Sequence, residues 1–299
     1  MSALPATPPR TPRSTRRRPG LLTTVLVLPA ALWYAVLLVA PLVIVVIFSF
    51  GTRAKNGGYA PGLVLDNYAR AIQKSEPFVL SLEMAIFGTI GCLLVALPLA
   101  YFIATRASRR KSLLILLLVI PFWTSFLIRT YSWLLILGPD LGLAGQLQAL
   151  TGAERIQILG TPIAVMIGLV YGYLPLMIFP LYVTLERMDR TLIEASKDLG
   201  AGRWATFRQI TLPVALPGVV TGSILVFIPM MGEYVIPQIL GYGRTYLMGN
   251  ALVTDFLEAR NWPQGSARAV FLIIVMVVTI AGYVWFVNRG RTTRDVSVL

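Results

Sequence analysis

Glu233 stands inside the apolar stretch Leu216–Leu240, about seven residues from its far end and so roughly 10 Å deep at helical rise. A carboxylate costs up to about 3 kcal/mol at the centre of a bilayer and faces a bundle interior, a partner or a water-filled path. Pro237, four residues on, has no N–H for the Glu233 carbonyl and leaves an extra acceptor beside the carboxylate. With Tyr234 adjacent, this pattern suits reception of a cationic amine by charge pairing and cation–π contact. Two other readings of Glu233 stay open at this stage: an ion pair with Arg129, and a contact with a partner chain.

Most other chemistry is excluded by residue type. There is no histidine, and the single cysteine, Cys92, lies in an apolar run, where it reads as a small buried hydrophobe. A disulfide framework, a Cys/His metal site and histidine acid–base catalysis are therefore out. No Gly-x-x-x-x-Gly-Lys-Ser/Thr phosphate loop occurs, so nucleotide energy would have to come from another chain. No catalytic residue is assigned, and the chain reads as a non-enzyme with no cofactor of its own.

The elements that position Glu233 are membrane helices. Of 299 residues 56% are hydrophobic and 13% charged, with a mean hydropathy of +0.73. A bilayer core takes about 20 apolar residues per helix. Six runs qualify: Leu21–Phe50, Val79–Thr105, Leu113–Leu137, Pro162–Leu185, Leu216–Leu240 and Ala269–Val287. The first follows Arg-rich sequence but is too long for a cleaved signal peptide. The net charge of +13 belongs to the membrane rule for basic residues and not to nucleic acid. The N-terminal tail, the 2–3 loop, the 4–5 loop and the C-terminal tail hold 17 of the 26 Lys and Arg and 5 of the 13 acids, a balance of +12; the remainder carries +1. Both termini are expected in the cytoplasm. Residues 1–20, rich in Pro, Thr and Arg, are expected to be disordered. Gly51–Phe78 and Gly138–Gly160 read as loops with one short surface helix each.

The 4–5 loop, residues 186–213, has a second pattern. Thr191 and Glu194 have capping-box spacing, so a short helix is expected from Leu192, with Leu192, Ala195, Ser196 and Leu199 on one face and Gly200 as a left-handed C′ residue. A second short helix carrying Trp204 and Phe207 should follow and stop at Pro213. Two readings of this knob stay open: insertion into a groove of another protein, or a cap on the helix ends.

Here the sequence resembles bacterial ABC import permeases, whose cytoplasmic signature is Glu-Ala-Ala, three residues, Gly, nine residues, Ile-x-Leu-Pro. The chain has Glu194-Ala195-Ser196, Gly200, then Ile210, Leu212 and Pro213 at that spacing, with Ser196 the one departure. Pro121–Tyr131, Phe227–Pro237, Gly249-Asn250 and Asn261-Trp262-Pro263 look most like spermidine/putrescine permeases, with Gln238 standing where that subgroup is expected to carry a carboxylate. The resemblance implies an all-α polytopic membrane protein of six transmembrane helices, similar to a type I ABC importer permease. Residues 1–20 form its basic tail, 21–287 the permease domain and 288–299 the C-terminal tail. It implies further that Glu194–Gly200 is a coupling helix seated in an ATPase. The implied partners are two cytoplasmic ATPase subunits using ATP and magnesium, a second and related permease subunit, an extracytoplasmic substrate-binding protein and the lipid of a bacterial inner membrane. Glu233, Tyr234, Gln238, Trp123 and Arg129 are the candidate solute-path residues. Transport would be by alternating access. A secondary transporter would be expected to show an inverted repeat and paired ionisable residues within its spans, and no repeat is visible in this chain.

Overall fold

The structure, a computed structural model, describes residues 21–105, 110–139, 142–152 and 156–295, with the backbone alone at 21–26, 190 and 288–295. The expected disordered tail at 1–20 lies outside the described residues, as do Arg106 and Arg109.

The first helix, α1 (Leu21–Ser49), contains Pro29 and Pro41 and forms a unit of its own as far as Ile47. Its side chains from Val27 to Ile47 are exposed almost all round, which is what an apolar helix bound for lipid or for a partner chain looks like in isolation. From Phe48 onward the chain forms a second unit. A short hairpin, β1 (Thr52–Arg53) and β2 (Tyr59–Ala60), precedes α2 (Asp66–Gln73). Then come α3 (Glu76–Thr105), α4 (Lys111–Val119), α5 (Phe126–Leu137), α6 (Leu143–Thr151) and α7 (Pro162–Glu186). The series ends with α8 (Arg190–Asp198), α9 (Arg203–Thr206), α10 (Leu212–Met231), α11 (Val235–Leu240), α12 (Met248–Val253) and α13 (Trp262–Asp295). The two loops read as holding one surface helix each contain α2 and α6, and the first adds the hairpin. The C-terminal tail read from residue 288 continues α13 to Asp295.

The core is built where α3, α7 and α10 meet. On α3, Ser81, Ala85, Gly88, Cys92, Ala96 and Ala100 recur at helical spacing and are buried, so backbones approach closely along a stripe of small side chains. Cys92 is fully buried, and its thiol lies 3.5 Å from the Val170 carbonyl. Gly218 and Gly222 on α10 face α7. A Cβ at Gly218 would sit 2.8 Å from the Pro180 carbonyl oxygen and 3.0 Å from the Leu181 Cα, and one at Gly222 2.7 Å from Met177 Sδ. Backbone atoms cannot yield as a side-chain tip can. Gly218→Val is accordingly expected to push α10 off α7 at a cost of about 1–3 kcal/mol. The check is the thermal midpoint of the purified subunit in detergent, and an unchanged midpoint would contradict this packing.

Three expectations about helices need correction. Leu113–Leu137 is not one continuous span. After α4 the chain makes a 3-10 turn, Ile120–Trp123, then an extended residue, Thr124 (ψ 153°), before α5 departs at 93°. Pro121 removes a backbone donor, and the Thr124 hydroxyl donates to the Pro121 carbonyl at 2.6 Å. Leu216–Leu240 is also divided, into α10 and α11, by a break at Gly232–Tyr234. Pro213, finally, does not stop a helix. α9 runs into α10 through one π turn, Phe207–Thr211, in which the Leu212 N–H reaches the Phe207 carbonyl, and Pro213 falls in the first turn of α10. Val27–Ser49, Glu76–Thr105, Pro162–Glu186, Arg203–Met231 and Trp262–Val287 are each long and apolar enough to cross a bilayer, and the bent pair α4–α5 makes six if it counts as one span.

Candidate functional site

Both breaks and α7 contribute to one cavity wall. Between them lies an open cavity of about 660 Å³ whose wall includes Phe122 and Phe126 of the bent span, Tyr173 and Phe179 of α7, and Glu233 and Tyr234 of the second break. The wall of this cavity thus carries five aromatic residues and one carboxylate. A separate crevice of about 300 Å³ beside α3, α10 and α13, lined by residues such as Leu93, Phe227 and Tyr283, holds no charged group among its lining residues.

Glu233 is buried and fully engaged. Its Oε1 accepts from the backbone N–H groups of Tyr234 (3.0 Å), Val235 (2.8 Å) and Ile236 (3.3 Å), so the carboxylate caps the exposed first turn of α11. Its Oε2 accepts from the Tyr173 hydroxyl. This is the physical cause of the break. The carboxylate offers the donors of 234–236 a partner outside the helix ladder, and Pro237 in the same turn needs none. The helix-interior position read from sequence is therefore corrected: Glu233 precedes a helix start.

The other candidates scatter. Arg129 forms no ion pair with Glu233; among the described residues the ion pairs are Arg70–Asp66, Arg268–Asp255 and Lys111–Glu186. The Arg129 guanidinium instead stands over the Phe122 ring at 4.5 Å. Trp123 is 79% exposed and outside the cavity. Gln238 is structural: its Oε1 accepts from Asn250 Nδ2 at 3.1 Å, while the same amide reaches the Tyr234 carbonyl at 3.3 Å and Asn250 Oδ1 accepts from the Leu247 N–H at 3.2 Å. Gly249 lets this corner close, since a Cβ there would fall 2.5 Å from the carbonyl oxygens of Gly232 and Glu233. Tyr173 and Phe179 were not found by the sequence reading, because an aromatic residue in an apolar span gives no sign of facing a cavity. Phe122 and Phe126 lie in the quoted segment Pro121–Tyr131, but nothing in it ranks them above Trp123.

The second candidate site is the loop between α7 and α10. Asp189, not Thr191, caps α8, accepting from the Thr191 N–H at 3.0 Å, so the helix begins at Arg190 and the expected capping box does not form. That backbone bond holds the Asp189 carboxyl below its ordinary range. Gly200 adopts φ +81°, with its own N–H on the Lys197 carbonyl (2.8 Å) and the Ala201 N–H on the Ser196 carbonyl (3.0 Å), the paired bonds of a Schellman end. Ser196 does what alanine could not: its hydroxyl meets that of Thr206 at 2.9 Å and ties α8 to α9. Phe207 stacks on Trp204 and meets Tyr101 of α3 edge-on. Glu194 and Ala195 are exposed, as are Leu192, Leu199 (88%) and Trp204 (73%), whereas Ile210, Leu212 and Pro213 are half-buried. The knob thus presents an uncovered apolar face. At its base Lys111 reaches Glu186, joining the start of α4 to the end of α7.

Broken apolar helices around a cavity, with a rigid exposed knob, define a polytopic transport component. The chain belongs to the family described as the binding-protein-dependent transport system inner membrane component, which matches residues 20–289. It is a multi-pass inner-membrane permease of that family. Over 271 residues it is 36% identical to the spermidine/putrescine transport system permease protein PotB of Salmonella typhimurium, covering 89% of this chain and 94% of that protein. With PotB of Haemophilus influenzae it shares 37% over 255 residues, covering 84% and 89%. The fold matches a chain of a bacterial alginate ABC transporter, solved in complex with an alginate pentasaccharide-bound periplasmic protein, with a TM-score of 0.66, 17% identity and coverage of 90% of this chain and 93% of that one.

Proposed function

We propose that this chain is a permease subunit of an ABC importer for a small polyamine of the putrescine or spermidine kind. The observation that carries the reading is the cavity: a wall holding one carboxylate and five aromatic residues has the chemistry that receives an alkylammonium chain, by charge pairing and cation–π attraction. The names of its relatives point the same way. Breaks in membrane helices are tolerated where they line a cavity, and both breaks here do.

In this reading the chain breaks no bond. Two ATPase subunits bind ATP and magnesium, and Glu194–Gly200 seats in a cleft of one of them with Leu199 and Trp204 beside it. A second permease subunit stands alongside, and a soluble binding protein delivers the solute. Closure of the ATPases moves α8, which is tied through Ser196–Thr206 and the continuous α9–α10 to Met231, next to the break that holds Glu233. A push on the knob thus has a rigid route to the cavity. The test is reconstitution of the whole complex with ATP hydrolysis and uptake measured for putrescine, spermidine and a set of amino acids. Stimulation by amino acids alone would overturn the polyamine reading.

Orientation follows from the charge balance of +12 against +1, with both termini and the knob in the cytoplasm. A reporter active only in the cytoplasm should give signal when fused after Val287 and none when placed between Gly138 and Gly160. The opposite pattern would reverse the topology.

A further inference from the structure

Arg129 brings a charge into the bent span, and ring faces hold it where an acid would be expected. Its guanidinium carbon lies 4.5 Å from the Phe122 ring centre and 5.9 Å from that of Phe126, while its Nε and Nη1 are buried with no acceptor. Two buried donors left idle on a half-buried guanidinium are costly, so a nearby arrangement that satisfies them competes with the one seen. Among the described acids, Asp66, Glu186 and Asp255 already have cations of their own. Glu233, like several acids elsewhere in the chain, is in none of these pairs, and what sets it apart is its place on the wall that Phe122 and Phe126 also line. α5, which carries Arg129, packs on α11, whose first turn Glu233 caps.

We infer that Arg129 is a tethered cation that competes with the cargo for Glu233 and so sets the rate of cargo release. It rests on Phe122 while the cavity receives an ammonium group. It turns onto Glu233 Oε2, in place of the Tyr173 hydroxyl, as the cargo leaves. The chemistry is simple exclusion. A guanidinium and an ammonium seek the same carboxylate oxygen, and in a poorly screened cavity the two like charges repel. A transport site must bind well enough to accept its cargo and weakly enough to give it up. A cation on a stem meets both needs, because it competes at fixed local concentration and cannot itself be carried away.

This inference rests on the cationic-cargo reading above, and a mutant cycle separates the two. Uptake of putrescine is measured in reconstituted complexes carrying the wild-type subunit, Arg129→Gln, Glu233→Gln and both changes, with assembly checked by size-exclusion chromatography. Failure of the wild type to carry any polyamine would remove the cargo reading. If the wild type does carry it, Arg129→Gln should lower maximal uptake about tenfold, and the same change in the Glu233→Gln background less than about twofold, as for two groups that act on each other. Arg129→Lys keeps a tethered charge and should retain more than about half of wild-type uptake, since a cation of either kind can reach a carboxylate. Equal losses in both backgrounds would overturn the proposal, as would failure of both Arg129 variants to assemble, which would make the guanidinium a structural element.

Discussion

Gly200→Val is expected to lower uptake by the assembled importer about tenfold or more while the subunit still inserts and folds. Gly200 holds φ +81°, a region that costs a β-branched residue at least about 1–2 kcal/mol. A Cβ there would meet nothing within 4 Å beyond its own chain neighbours, so the penalty lies in the local backbone and not in tertiary packing. Relief of that strain means losing the two bonds to Lys197 and Ser196 that end α8, which misaims the face of Leu192, Leu199 and Trp204. Each 1.4 kcal/mol is about a tenfold change in the population of the seated knob, so uptake should fall tenfold or more, and ATP hydrolysis should no longer respond to the binding protein. Gly200→Asn is the control, because asparagine tolerates the left-handed region, and it should keep most activity. Wild-type uptake and stimulated hydrolysis in the valine variant would mean that the loop is only a cap on the helix ends.

The second large effect belongs to Glu233, and here the structure separates two roles that a single substitution would confuse. Glu233→Gln retains an acceptor for the N–H groups of Tyr234, Val235 and Ile236 but removes the charge. It should leave assembly intact and lower putrescine uptake by about tenfold or more, the effect of losing one charge-assisted contact of 1.5–3 kcal/mol. Glu233→Ala should do that and also uncap α11, with about 1 kcal/mol of stability lost and a lower thermal midpoint. If uptake is unchanged in the glutamine variant and the alanine variant is merely unstable, Glu233 is a helix cap and the cation pathway lies elsewhere.

Membership of the bilayer was legible because transfer free energy adds up over a window of about 20 residues and hardly depends on what each side chain touches. For the same reason hydropathy missed both helix breaks: Pro121–Ser125 carries no charge, and the one carboxylate of Gly232–Tyr234 is averaged away over a window of that length. The end of α8 at Gly200 was legible as well, since a left-handed terminus is set by local backbone sterics. Its start was not, because Asp189 and Thr191 both have cap chemistry and the geometry of the turn after Glu186 chose between them.

The candidate site divides along the same line. Glu233 stood out in the sequence because a lone carboxylate in an apolar run must be explained. What engages it could not be read there, because Tyr173 lies 60 positions away and the contact exists only once α7 and α10 have packed through Gly218 and Gly222. Gln238, Trp123 and Arg129 shared the right neighbourhood in sequence, yet packing sent them to an asparagine corner, to the outer surface and to the face of Phe122. Composition and spacing thus determined that this chain is a polytopic membrane protein with a short helix ending at Gly200 between two of its spans, since those properties are sums or local sterics, whereas its membership of a permease family rests on likeness to relatives. Tertiary structure decided which side chains share the cavity, because that depends on how closely small residues allow three helices to approach.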